Sequence, residues 1–216
     1  MKQQEINWDR LYKKHIPSIK IPYKKIVTYL RKYKAKNILD VGCGFGRLTN
    51  ELNNKGFEAT GIDINKNLIK TAKKNSKGKF IHKNFFRFNP KKKFDAIITV
   101  ALLNLMNIKQ RKKIVNNCKR LLSENGLLII IDFERTLNYY LRYIKHFIKS
   151  RKDFGTFRTS LGFNSHHLSK KEIKRLLKNY ELELIEEKTC KTITGKKINY
   201  LITISRRITN VTHKTR

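Results

Sequence analysis

Asp40, Gly42, Gly44 and Gly46 fall within one short stretch, NILDVGCGFGRLTNEL, from Asn37 to Leu52. An apolar run ends in an acid, three glycines follow at alternate positions, and a helix-like segment comes next. Glycine adopts positive φ without steric penalty and lets the backbone approach a ligand closely. A loop of this kind, between a buried strand and a helix, stands at the strand's carboxyl end, where open α/β sheets take ligands. Its spacing differs from the dinucleotide pattern GxGxxG, because Arg47 occupies the place of the last glycine. An acid directly before the loop repels a pyrophosphate and suits an ammonium group. The chemistry called for is a nucleoside that carries an amine and no phosphate.

S-adenosylmethionine (SAM) has that make-up: an adenosine, a sulfonium and an amino-acid tail. NAD does not. The elements that must position such a ligand follow along the chain. Ile6 to Lys14 and Tyr23 to Tyr33 read as helices broken by Pro17 and Pro22. Asn37 to Val41 is a short buried strand and Gly46 to Asn53 opens a helix that Gly56 ends. Glu58 to Asp63 is a second strand. Asn65 caps a helix carrying Leu68, Ile69 and Ala72. Lys79 to His82 and Phe94 to Val100 are further strands, Ile108 to Leu122 a helix, and Asn125-Gly126 turns into the strand LLIIID. Strands apolar on both sides, alternating with helices, imply a parallel sheet covered on both faces.

After Asp132 the rhythm breaks. Leu137, Tyr140, Leu141, Ile144 and Ile148 recur at helical spacing, and Tyr140, Ile144 and Ile148 are expected to share its buried face. A loop with Gly155 and Gly162 follows. Ser169-Lys-Lys-Glu172 has the form of a capping box. Leu182 to Ile185 and Tyr200 to Ile204 read as an antiparallel pair around a turn at Gly195. RRITNVTHKTR reads as a loose basic tail. The division expected is one domain over residues 1–205, an insertion at about 135–168, and a tail over 206–216.

The chain has 216 residues, of which 39% are hydrophobic, which excludes a chain disordered by composition. The first residues are polar and contain no apolar leader segment, and no apolar run is long enough to span a bilayer. Cys43, Cys118 and Cys190 stand apart without a CxxC pair, so a reduced, cytoplasmic protein without a metal site is expected. The formal net charge is +34. Such an excess fits a polyanion partner, RNA first, but it is spread along the whole chain and also fits an AT-rich coding sequence.

The motifs ILDVGCGFGRLT, GIDI (Gly61 to Ile64), FDAIITVALLNLM (Phe94 to Met106) and LLSENGLLIIIDFE (Leu121 to Glu134) stand in this order. In these the chain resembles the class I SAM-dependent methyltransferases, from about Trp8 to Ser205. The resemblance implies an α/β fold: a doubly wound, seven-stranded, mostly parallel sheet with an antiparallel C-terminal strand and a helical lid after strand five. It implies that Asp40 and the backbone from Gly42 through Cys43 and Gly44 to Gly46 hold the methionine end of SAM. Asp63 would accept both ribose hydroxyls, and Ile64 would pack on the adenine. Asn84 stands where members often have an Asp that receives the adenine amino group, with Phe85 beside it. Val100 would line the path from donor to acceptor. Trp8 and Tyr12 stand where they would cover SAM or simply pack.

VALLNLM lacks the [DN]PP[YF] signature of base-amine methylation, and no Pro-Cys nucleophile is present. The form is similar to the subgroup that methylates small molecules, quinone precursors among them, and which also contains tRNA wobble-uridine enzymes. A small-molecule acceptor is therefore the first expectation, RNA the second, and a non-catalytic binder of the same fold the third. The segment Tyr139 to Phe163 interleaves aromatics with bases, which fits an aromatic pocket or a base-stacking face. His166 and His167 are the candidates for a general base, against a packing role. The sequence does not address oligomeric state.

Overall fold

The computed structural model describes residues 21–76, 78–150, 153–160, 162–191 and 197–208. The expected helix Ile6 to Lys14, Trp8, Tyr12, Arg151, Lys152, the turn at Gly195 and the tail from 209 lie outside them.

Seven strands form one sheet: β1 (Asn37–Val41), β2 (Glu58–Asp63), β3 (Lys79–His82), β4 (Phe94–Val100), β5 (Leu122–Phe133), β8 (Tyr180–Lys191) and β9 (Lys197–Arg207). Their order is β3-β2-β1-β4-β5-β9-β8. The first five are parallel, and β9 runs antiparallel between β5 and β8. This is the expected doubly wound architecture. Its strand order reverses between β1 and β4, the point at which such sheets open a crevice.

Successive residues of β1 serve opposite cores, as the pleat dictates. Ile38 packs with Ile26 and Leu30 of α1 (Tyr23–Lys32) and Leu48 and Leu52 of α2 (Arg47–Asn54). Leu39 packs with Ile114, Val115 and Cys118 of α4 (Ile108–Leu121) and Ile173 of α6 (Lys170–Leu176). α3 (Lys66–Lys74) joins β2 to β3, its first turn capped by the Asn65 side chain, which accepts from the Asn67 and Leu68 N–H groups.

Several boundaries differ from expectation. Asn125 and Gly126 do not end one element and start another. They sit within β5 in a bulge, where Phe94 pairs with Leu122 but Ala96 with Leu127, and Asn125 takes φ +58°. The capping box forms at Asn107 and Gln110, ahead of α4. At Ser169 only half of one forms: its hydroxyl accepts from the Glu172 N–H, but the Glu172 carboxylate turns to Arg111, Arg135 and His166. β9 continues through Arg206 and Arg207, past the expected start of the tail.

The insertion after β5 holds a short 3-10 turn (Leu137–Tyr139), α5 (Tyr140–Ser150) and a two-stranded ribbon, β6 (Thr156–Arg158) with β7 (Asn164–His166), where an open loop is expected. The buried face of α5 is not the expected one. Tyr143 is its fully buried residue, whereas Tyr140 and Ile148 are exposed and Ile144 is half-buried. A helical period groups residues on a face but does not say which face the body covers.

Candidate active site

The β1–α2 loop is built by its glycines. Gly42, Gly44 and Gly46 take φ of +74°, +54° and +79°. At Gly46 the neighbours also forbid a side chain, since a Cβ would lie 2.4 Å from the Phe80 ring. The Gly42 and Cys43 N–H groups donate to the Ile62 carbonyl at 2.8 and 3.2 Å, which ties the loop to β2. Leu102, beyond β4, packs close against Gly42. The loops after β1 and β4 therefore meet at the sheet's reversal point.

Asp63 ends β2 and holds this loop from the side. One carboxylate oxygen accepts the Gly44 N–H at 3.0 Å and the other the Asn65 N–H at 2.8 Å. Burial raises its pKa, against these N–H donors. The Ile64 N–H acts on the carboxylate in the same sense, and the lone-pair capacity left over is what a ligand hydroxyl would meet. Ile64 follows with its apolar side chain 56% exposed, unusual beside a buried strand end.

Asp40 is more enclosed than a ligand-contacting acid is expected to be. It is 2% exposed, and its Oδ2 accepts the Thr49 hydroxyl at 2.8 Å. Burial pushes its pKa up to about 7, opposed by the Thr49 hydrogen bond and reinforced by the Asp63 charge.

Beyond β3, the Asn84 side-chain oxygen accepts the Phe86 N–H at 2.9 Å and so caps the turn Phe85–Arg87. The Phe85 ring lies in the hydrophobic core, and its carbonyl accepts from the Asn117 side chain at 3.4 Å. Val100 is half-buried at the end of β4. Ala101 follows at φ +50°, a region that residues with a Cβ visit rarely.

Asp132, which the sequence reading does not single out, is a further buried acid near the carboxyl end of β5. Its Oδ2 accepts the Leu103 N–H at 2.7 Å and the Asn104 N–H at 3.3 Å, and its Oδ1 the Phe133 N–H at 2.9 Å. It holds the turn after β4 against the end of β5. Burial pushes its pKa up to about 7 despite these donors. The available signal was its position: like Asp40, it is the penultimate residue of an apolar strand.

The two histidines separate. His166 is fully buried, with Nδ1 at 2.9 Å from the Thr156 hydroxyl and Nε2 at 2.9 Å from Glu172. It belongs to an ion-pair network in which the buried Arg111 guanidinium meets Asp153 at 2.5 Å and Glu172 at 3.1 Å, and Arg135 meets Glu172 at 3.1 Å. Burial raises the Glu172 pKa, but His166, Arg111 and Arg135 together hold it below the ordinary value. Asp153, His166 and Glu172 place ligand-type atoms within 4.8 Å of one another, yet protein cations already neutralise them. His167 instead lies among Phe133, Tyr139, Tyr143 and Phe157, its Nδ1 at 2.8 Å from the Tyr143 hydroxyl. Burial, with the charges of His166 and Arg135, lowers its pKa to about 3.

Comparison with known proteins agrees with this layout. A solved SAM-dependent methyltransferase from Methanosarcina mazei is 27% identical, with a TM-score of 0.73 over 83% of this chain and 97% of that one. Magnesium protoporphyrin IX methyltransferase from Synechocystis PCC 6803 shares the fold, at 15% identity and a TM-score of 0.66 over 93% of this chain and 92% of that one. The ubiquinone biosynthesis O-methyltransferase of Coxiella burnetii is 29% identical over 114 residues, 50% of this chain and 48% of that protein. The chain thus spans about half the length of the curated relatives it matches. Among the described residues no helix is long and apolar enough to cross a membrane. Residues 32–200 match the family model described as a methyltransferase domain, which takes in all of β1 to β5, and the chain belongs to that methyltransferase family.

Proposed function

We propose that the protein is a SAM-dependent methyltransferase that acts on a small-molecule acceptor in the cytoplasm. The observation that carries this reading is the Asp63 carboxylate, bonded to the Gly44 N–H of the glycine loop and standing beside exposed Ile64. An acid that still has lone pairs to offer a diol, next to an apolar surface, suits a nucleoside. SAM supplies a methyl group already activated on a sulfonium, so the chain's task is to bind, orient and exclude water. Asp63 takes the ribose hydroxyls and Ile64 the adenine face. The backbone of Gly42, Cys43, Gly44 and Gly46 takes the amino-acid tail, whose ammonium Asp40 attracts at short range. Asn84 and Phe85 border the adenine, chiefly through their backbone because the Asn84 oxygen is a cap and the Phe85 ring is core. Val100 borders the acceptor side.

The acceptor meets the insertion after β5, from Tyr139 to Phe163. Of the two histidines, His167 lies outside the ion-pair network and bonds Tyr143, but a pKa of about 3 makes it a weak base, so transfer rests on orientation of acceptor and donor rather than on a histidine base. The ubiquinone-biosynthesis relatives favour a small acceptor. The charge of +34 favours RNA as the second reading.

Calorimetry with SAM and S-adenosylhomocysteine tests the proposal. Both are expected to bind, NAD is not, and Asp63→Ala should weaken SAM binding by about 1–3 kcal/mol through the lost hydroxyl bonds. Absence of SAM binding to the wild type, or an unchanged affinity in the variant, overturns the assignment.

A further inference from the structure

Among the described residues, large apolar side chains are exposed in one place above all. Leu137, Leu141 and Ile148 are 86%, 82% and 70% exposed, and Tyr140 and Phe147 are also exposed. Leu137, Leu141, Ile144 and Ile148 are spaced four, three and four apart, so they form one stripe along the 3-10 turn and α5. The stripe is not free to fold back. On another side of α5, Tyr143 is fully buried against Phe154 and Phe157 with its hydroxyl on His167, and this fixes the helix's rotation.

Beside the stripe stand Arg142, Lys145 and Lys149, all exposed. From Arg135 to Lys152 the sequence holds six bases and no acid, and the next acid, Asp153, is engaged by Arg111. A helix with an apolar stripe along one side and bases along its flank matches the boundary of an anionic bilayer. Its aliphatic side chains enter the top of the acyl region, and its cations stay among the headgroups.

We infer that the exposed face of α5 docks the protein onto an anionic lipid surface, with the helix lying in the plane of the interface. The stripe itself is leucine and isoleucine, which offer no ring on which bases stack, and the neighbouring Tyr140 and Phe147 rings are set edge-on against Phe154, so this face is poorly made for RNA. A second copy of a +34 chain, presenting the same bases, is repelled from it. The inference does not depend on the identity of the methyl acceptor.

Co-sedimentation of the purified protein tests it, using vesicles of phosphatidylcholine alone and of phosphatidylcholine with phosphatidylglycerol. The wild type should prefer the anionic vesicles and keep part of its binding at about 0.5 M salt, where charge attraction alone is screened. The combined variant Leu137→Ser, Leu141→Ser, Ile148→Ser should bind them about a hundredfold more weakly. Arg142→Gln, Lys145→Gln, Lys149→Gln should lose the preference for anionic lipid. A separate Leu141→Trp variant should shift its indole emission to the blue when anionic vesicles are added, which keeps the test open should the triple variant misfold. Undiminished binding by the serine variant, complete loss of wild-type binding in high salt, or an unmoved emission from the Leu141→Trp variant overturns the inference. So does a serine variant that loses affinity for total tRNA while keeping it for vesicles, which makes the face an RNA surface.

Discussion

Asp40, in the proposed role of meeting the ligand's ammonium group, would tie binding to pH. Its proton stays on until about pH 7 in the folded protein, against about 4 for an ordinary carboxyl. Between those values the unfolded chain has lost the proton and the folded one has kept it, so Asp40 favours folding at low pH and that contribution is lost as pH rises toward 7. An arriving ammonium group favours the ionised form. SAM affinity should therefore rise about tenfold between pH 6 and pH 7.5, before the ligand's own amino group begins to lose its proton. Titration calorimetry across that range checks this, and a flat profile would mean that Asp40 does not face the ammonium. The placement of Asp40, Asp63 and the glycines at the carboxyl ends of β1 and β2 was legible because each stands at or just beyond the close of an apolar run. The two histidines were not separable, since adjacent residues point apart and only the packed structure shows that His166 enters an ion-pair network while His167 enters an aromatic box.

Arg111 is to the insertion what Asp63 is to the glycine loop. It rises from α4, bonds the Met106 carbonyl, and meets Asp153 after α5 and Glu172 at the start of α6. Arg111→Met should leave Asp153 without its guanidinium partner and Glu172 with Arg135 and His166 alone, and destabilise the protein by about 3 kcal/mol in urea unfolding, whereas Lys119→Gln on the same helix should have little effect. The Arg111 variant should loosen α5 to hydrogen exchange before β1 and β4. The strands and helices through β5 were legible, because long apolar runs and caps such as Asn65 act locally. The insertion was not. β6 and β7 each have three residues, too few to set a pattern, and the side of α5 that is covered depends on Phe154 and Phe157, which reach it only through the fold.

On the scale of the whole molecule, the excess of bases is sharpened by where the acids are. Glu181, Glu183, Glu186 and Glu187 all lie on β8 and pair with Arg206, Lys32, Lys25, Lys188 and Lys170. The acids of that edge are thus largely neutralised, and the unbalanced bases elsewhere carry the field. Salt separates the two acceptor classes. If RNA is the substrate, its binding should fall with a log–log slope of about −0.7 per phosphate contact, and turnover should fall with it. With a small uncharged acceptor, turnover should stay nearly constant over the same range, and any RNA bound should show no preference among sequences. Filter binding and a methyl-transfer assay at several salt concentrations distinguish the cases.

The place of β9 bears on how the chain is made. β8 leaves the ribosome before β9, yet β9 lies between β8 and β5. During synthesis the apolar edge from Leu127 to Ile131 therefore has no neighbour on the side away from β4 until residues 202–206 emerge to pair with it. For that interval the nascent chain presents an open, sticky strand edge, the kind of surface that recruits chaperones or other nascent chains. Until β9 has cleared the exit tunnel, the sheet stays unsealed.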